Sequence, residues 1–154
     1  MTAREGRSLD ELLAEWRQHG PTVEAGLADR TFGAVPIFDV FTHECDLREA
    51  FGLGRPPRAD VETVARIAAK NIVRKFEGPV TLVVRAGGQE WTGGDGERRA
   101  VLTAEPYELL RALFSRRSRR QLRTWQWDGD GDPDEVIERL PVFGARDDDQ
   151  PVPA

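Results

Sequence analysis

The chain has 154 residues, 39% of them hydrophobic and 32% charged, with a formal net charge of -5 at pH 7. A chain of that length buries roughly 70% of its unfolded surface, so it needs no disulfide or metal to stay folded, and it suits one ordinary domain or two small lobes. The acidic balance argues against non-specific DNA binding as the main task.

Cys45 is the single cysteine, which excludes an internal disulfide and reads as a buried, inert thiol. Met1 to Arg7 is polar and carries no apolar leader core. No run of about 18 apolar residues predicts a membrane span, so the expected compartment is the cytoplasm. Of the 22 basic residues, only Lys70 and Lys75 are lysines.

In chain order, Ser8 and Glu11 form an S-x-x-E capping box, and Leu9, Leu12, Leu13 and Trp16 follow at helical spacing. Gly20-Pro21 should weaken that helix, because proline lacks the amide the helix needs. A second short helical piece is then expected from Pro21 to Leu27. The stretch from Ala34 to Phe51 reads as a helix with Ile37, Phe38, Phe41, Cys45 and Ala50 on an apolar stripe. Pro36 sits in its first turn, and Gly52, Gly54 and Pro56-Pro57 end it. Asp60 is expected to cap a third helix, Val61 to Phe76, with Val61, Val64, Ala68, Ile72 and Phe76 on one side.

At Gly78-Pro79 the period changes. Val80 to Arg85 predicts a strand, Gly87-Gly88 a hairpin turn, Gln89 to Thr92 the returning strand and Arg99 to Thr103 a third. Pro106 opens a helix with Leu109, Leu110, Leu113 and Phe114 inward. A helical turn over Ser118 to Leu122, a fourth strand over Thr124 to Trp127 and a last helix from Pro133 to Leu140 follow. The expected fold class is α+β: a helical part over residues 1–77, then a 78–144 part with a small, mostly antiparallel sheet of three or four strands. Residues 145–154 read as a mobile acidic tail.

Three groups of residues could carry chemistry. Asp39, His43 and Asp46, spaced i, i+4 and i+7, share one helix face, where a carboxylate and an imidazole one turn apart can hold a divalent metal. Asp46 could instead orient the imidazole from behind. The plainer alternative is a surface hydrogen bond between Asp39 and His43, since zinc takes at least three protein ligands. His19, the other histidine, reads as exposed at a helix end. Arg116, Arg117, Arg119, Arg120 and Arg123 can grip a carboxylate or phosphate in pairs, or simply balance the acidic C-terminus. Asp128-Gly-Asp130-Gly-Asp132 begins like an EF-hand loop. Pro133 and Arg139, however, stand where that loop needs glycine and glutamate, so a turn and helix cap are expected instead. Gly93 to Gly96 matches no phosphate-binding loop.

The stretch Phe38 to Gly52 (FDVFTHECDLREAFG) resembles the second metal-ligand helix of the mycothiol-dependent maleylpyruvate isomerase family, within the DinB-like superfamily. Glu90 to Gly93, Tyr107 to Ala112, Arg116 to Ser118, Gln121 and Trp127 resemble that family's C-terminal domain, and Ser8 to Trp16 one of its helices. The resemblance implies a partial DinB-like helical bundle followed by a small α+β domain. It implies a divalent metal, usually zinc, held by Asp39 and His43, with mycothiol as thiol cofactor. Arg116 or Arg117 would hold a carboxylate of a small electrophilic, anionic substrate, beside His43 in the catalytic set. The implied activity is an isomerase or transferase. The family's first ligand is more often glutamate than aspartate. Its third ligand, a histidine in a W-x-x-x-D-L-x-x-H-L segment, has no counterpart in this chain. The chain thus reads either as one that begins downstream of the full start, or as a shortened form that exposes apolar surface and pairs as a homodimer to cover it. The alternative function is a non-catalytic relative acting as a binding or interaction module without metal. Neither a nucleic acid nor a membrane is expected as a partner.

Overall fold

A computed structural model describes residues 5–150. Six helices and four strands follow in the order α1 (Leu9–Ala28), α2 (Val35–Phe51), α3 (Arg58–Ile72), β1 (Val80–Ala86), β2 (Gln89–Gly93), β3 (Arg98–Thr103), α4 (Pro106–Leu113), α5 (Arg119–Arg123), β4 (Gln126–Gly129) and α6 (Pro133–Ile137). The fold is α+β, helices first and a small sheet after them. Among the described residues no helix is long and apolar enough to cross a membrane.

The chain divides into two compact units, with the break between Ile37 and Phe38. The reason is packing: α3 lies against α4 and β2, so it belongs with the sheet and not with the first helix.

In the first unit, α1 starts at the expected capping box. The Ser8 hydroxyl accepts from the Glu11 amide, and the Glu11 carboxylate accepts from the Ser8 amide. The expected break at Gly20-Pro21 does not occur; α1 is one helix of 20 residues with Pro21 inside it. Proline forfeits one hydrogen bond but its fixed φ is helical, so the turns on both sides carry the helix through. The helix ends where Arg30 turns left-handed (φ 64) and the Phe32 amide donates to the Gly26 carbonyl at 2.8 Å. The Phe32 ring lies where a side chain at position 26 would have to be.

The second unit is built on the sheet, ordered β2-β1-β3-β4. β1 pairs antiparallel with β2 and parallel with β3, and β3 pairs antiparallel with β4. β1 is therefore central and buried on both faces, which explains its near-continuous apolar run, Val80, Leu82, Val83 and Val84. To place β3 beyond β1, the link after β2 crosses the entrance of β1. Gly94 adopts φ 75 there, and a side chain at Gly96 would strike the Pro79 carbonyl. The Thr81 hydroxyl donates to the Gly96 carbonyl at 2.7 Å and ties the crossing down. This is the physical task of the glycine-rich stretch.

Several boundaries shift. α3 begins at Arg58 behind Pro57, with Asp60 in its first turn rather than at the cap, and gives way to a 3-10 turn at Val73–Lys75. β4 starts two residues later than expected, at Gln126, and α6 stops at Ile137. Ala50, expected on the inward stripe of α2, is exposed. The segment read as a mobile tail makes a parallel bridge to Ser118 through Arg146. Asp149 accepts from the Ser118 hydroxyl and Gln150 accepts from Gln121, so residues 146–150 are laid along α5. Residues 151–154 of that segment lie outside the described residues.

Candidate functional site

α2 carries polar side chains at 39, 43, 46 and 49, spaced so that they form one row on its surface. The row runs from solvent into the interior. Asp39 and His43 keep 71% and 63% of their side chains exposed, whereas Asp46 keeps 32% and Glu49 only 6%. The His43 ring stands between two carboxylates, with Nε2 3.6 Å from Asp39 Oδ1 and Nδ1 3.4 Å from Asp46 Oδ2. Both separations are too long for good hydrogen bonds.

The inner half of the row meets α4, where Arg111 is the hub. Its side chain is 2% exposed, although it lies inside the apolar run Leu109 to Leu113. It donates from Nη2 to Asp46 Oδ1 at 2.6 Å and to Glu49 Oε2 at 2.7 Å. It also donates from Nε to Glu49 Oε1 at 3.1 Å and from Nη1 to the Thr42 carbonyl at 3.3 Å. Arg116 adds a forked contact to Asp46, 3.3 Å from Nε and 3.0 Å from Nη2. Arg117, fully buried, bridges Glu108 at 2.6 Å and Glu49 at 3.1 Å. Arg55 reaches Glu105 and Glu108 while stacking 4.7 Å over the Tyr107 ring, and the Tyr107 hydroxyl donates to Glu49 at 3.0 Å. Arg55, Arg111, Arg116 and Arg117 are thus matched by Asp46, Glu49, Glu105 and Glu108, as a buried ionic network must be.

Electrostatics follow from this matching. Burial would raise the Asp46 carboxyl, but hydrogen bonds from Arg116 and Arg111 outweigh it and hold it below the usual aspartate value. Burial pushes the Cys45 thiol up to about 11, with only partial relief from Arg111. Tyr107 is likewise pushed up, by burial first and by Glu49 second. Cys45 and Tyr107 are therefore protonated core groups, packed with Val61 and Phe41.

The sequence-expected residues separate accordingly. Asp39 and His43, the expected metal pair, are together and accessible. Asp46 shares their face but is spent on arginines. Arg116 and Arg117, expected to hold a substrate carboxylate, hold this chain's own carboxylates. Arg119, Arg120 and Arg123 pair with Glu138 and Asp147, with Asp149, and with Asp134, as the charge-balancing alternative anticipated. Asp130 accepts from the Arg99 amide at 2.8 Å and Asp132 caps α6, so the acidic loop is a turn and a cap. His19 is exposed. Arg111 and Glu49 were missed. The available signal was a charged residue on the apolar face of a strongly amphipathic helix, and a glutamate three residues beyond Asp46.

Among the described residues Asp39 and His43 supply two donors, one short of the three that zinc takes from a protein. Among the described residues no group of three or more His, Cys, Asp and Glu side chains is placed to hold a metal ion. A separate concavity of about 330 Å³ lies between α3 and the β1–β2 hairpin, floored by Ala65 and Trp91 and edged by Thr63, Arg66 and Gln89. None of the expected site residues lines it.

No protein-family model matches the chain, and neither a curated protein nor a solved structure matches it.

Proposed function

We propose that this chain acts as a non-catalytic binding or interaction module, related to DinB-like proteins of the maleylpyruvate isomerase type, without a complete metal centre of its own. The observation that carries this reading is the internal neutralisation of the arginines. Arg111, Arg116 and Arg117 are each paired with Asp46, Glu49 or Glu108, so none of these three guanidiniums is left open for a substrate carboxylate. Detaching Arg111 or Arg117 would leave the Glu49 carboxylate, 6% exposed, with half of its neutralising charge, which is unfavourable.

A second reading, the metal- and mycothiol-dependent isomerase or transferase, draws support from one feature. Asp39 and His43 are exposed and one turn apart, so their lone pairs are open to an ion completed by a donor from outside the described residues. Metal analysis of the purified protein with thermal melts separates the two. The module reading expects no near-stoichiometric zinc and a melting temperature unchanged by His43→Ala, because an exposed side chain with only long contacts contributes within about 0.5 kcal/mol. Near-stoichiometric zinc that disappears with His43→Ala overturns it in favour of the enzyme.

A further inference from the structure

The apolar side chains of α1 are spaced as a coiled-coil seam. Leu9, Leu13, Trp16, Gly20, Val23 and Leu27 recur at intervals of four and three, the 3.5-residue period at which one helix keeps a single stripe against another. Among the described residues of its own unit the stripe is largely uncovered: Leu9 is 71% exposed, Trp16 67%, Leu13 40% and Val23 39%, while Gly20 and Leu27 are half-buried and Gly26 is the one buried residue of α1.

The stripe also reads the same from both ends. Set antiparallel to itself about residue 18, Leu9 faces Leu27, Leu13 faces Val23, and Trp16 faces Gly20. The largest side chain of the seam then meets the residue with none, twice, across a two-fold axis. Pro21 falls on the outer side of the helix, away from the seam. A 20-residue helix is about 30 Å long. A pair of that length buries on the order of 1,200 Å² in total, the lower edge of the range for stable association.

We infer that α1 is a self-association surface, and that its partner is α1 of a second copy of this chain, antiparallel, with Trp16 of each copy seated on Gly20 of the other. The inference does not rest on the proposed function, because neither Asp39 nor His43 takes part.

Sedimentation of the full chain across micromolar concentrations tests it, with circular dichroism confirming that each variant keeps its helix. A reversible monomer–dimer equilibrium is expected. Gly20→Leu enlarges the apolar stripe and suits a helix better, yet it fills the seat of Trp16 and should weaken the dimer at least tenfold. Adding Trp16→Ala to it should restore much of the loss. Leu9→Cys combined with Leu27→Cys should cross-link between copies with a short bis-maleimide, while either single variant should not; Cys45, 0% exposed, stays silent. A monomer at all concentrations, tighter association on Gly20→Leu, or cross-linking of either single variant overturns the inference.

Discussion

Arg111 shows how one side chain can join two helices. A guanidinium presents five donors in a fixed fork, and here four contacts reach Asp46, Glu49 and the Thr42 carbonyl of α2. Removing it leaves the Glu49 carboxylate, 6% exposed, with less of its neutralising charge. Arg111→Met should therefore cost about 3–5 kcal/mol in urea unfolding. Arg111→Lys should recover only part of that, since an ammonium cannot fork. The pH dependence has a definite sign. Asp46 is held below its ordinary value of 3.8, so its stabilisation is complete above about pH 4 and is lost as pH falls through the lowered value. Asp46→Asn should lower the urea midpoint at pH 7 and flatten its fall below about pH 4.

At the scale of elements, the crossing from β2 to β3 decides the sheet. A side chain at Gly93 would run into the Val73 carbonyl of the 3-10 turn behind β2. Unlike a clash with a flexible side-chain tip, this obstacle is backbone, so strand and turn must separate. Gly93→Ala should destabilise by about 2 kcal/mol or more, measured by thermal or urea unfolding, whereas Gly88→Ala, with open space around it, should cost less and only through its positive φ. The capping residues Ser8 and Asp132, the hairpin at Gly87-Gly88 and the apolar runs of β1 and α4 were all legible beforehand, because each is a short-range pattern. The unbroken α1 was not. Whether a single proline ends a helix depends on how much helix on either side holds it.

For the molecule as a whole, the two units differ in what sustains them. The second has a closed core of sheet, α3 and α4. The first has a helix with one buried residue, and an isolated helix of 20 residues is marginal in water. Hydrogen exchange of a dilute sample should show α1 amides exchanging first and those of β1 and β3 last. Protection of α1 should then rise with protein concentration if the seam is covered by a second copy. Uniform protection at every dilution would contradict this.

Read alone, the amino-acid order determined the α+β class, most helix and strand centres, and the placing of Asp39, His43 and Asp46 on one face, because these follow from periodicity, caps and turn chemistry within a few residues. It left the roles of the charged side chains open. Arg116 and Arg117 look alike as free anion-binding groups until α2 and α4 come together, which brings Asp46, 70 positions from Arg116, and Glu49, 68 positions from Arg117, within bonding reach beside Glu108, nine positions from Arg117. Whether a charge faces a ligand or another part of its own chain is set by long-range contacts in a low-dielectric interior, and only the folded arrangement supplies those.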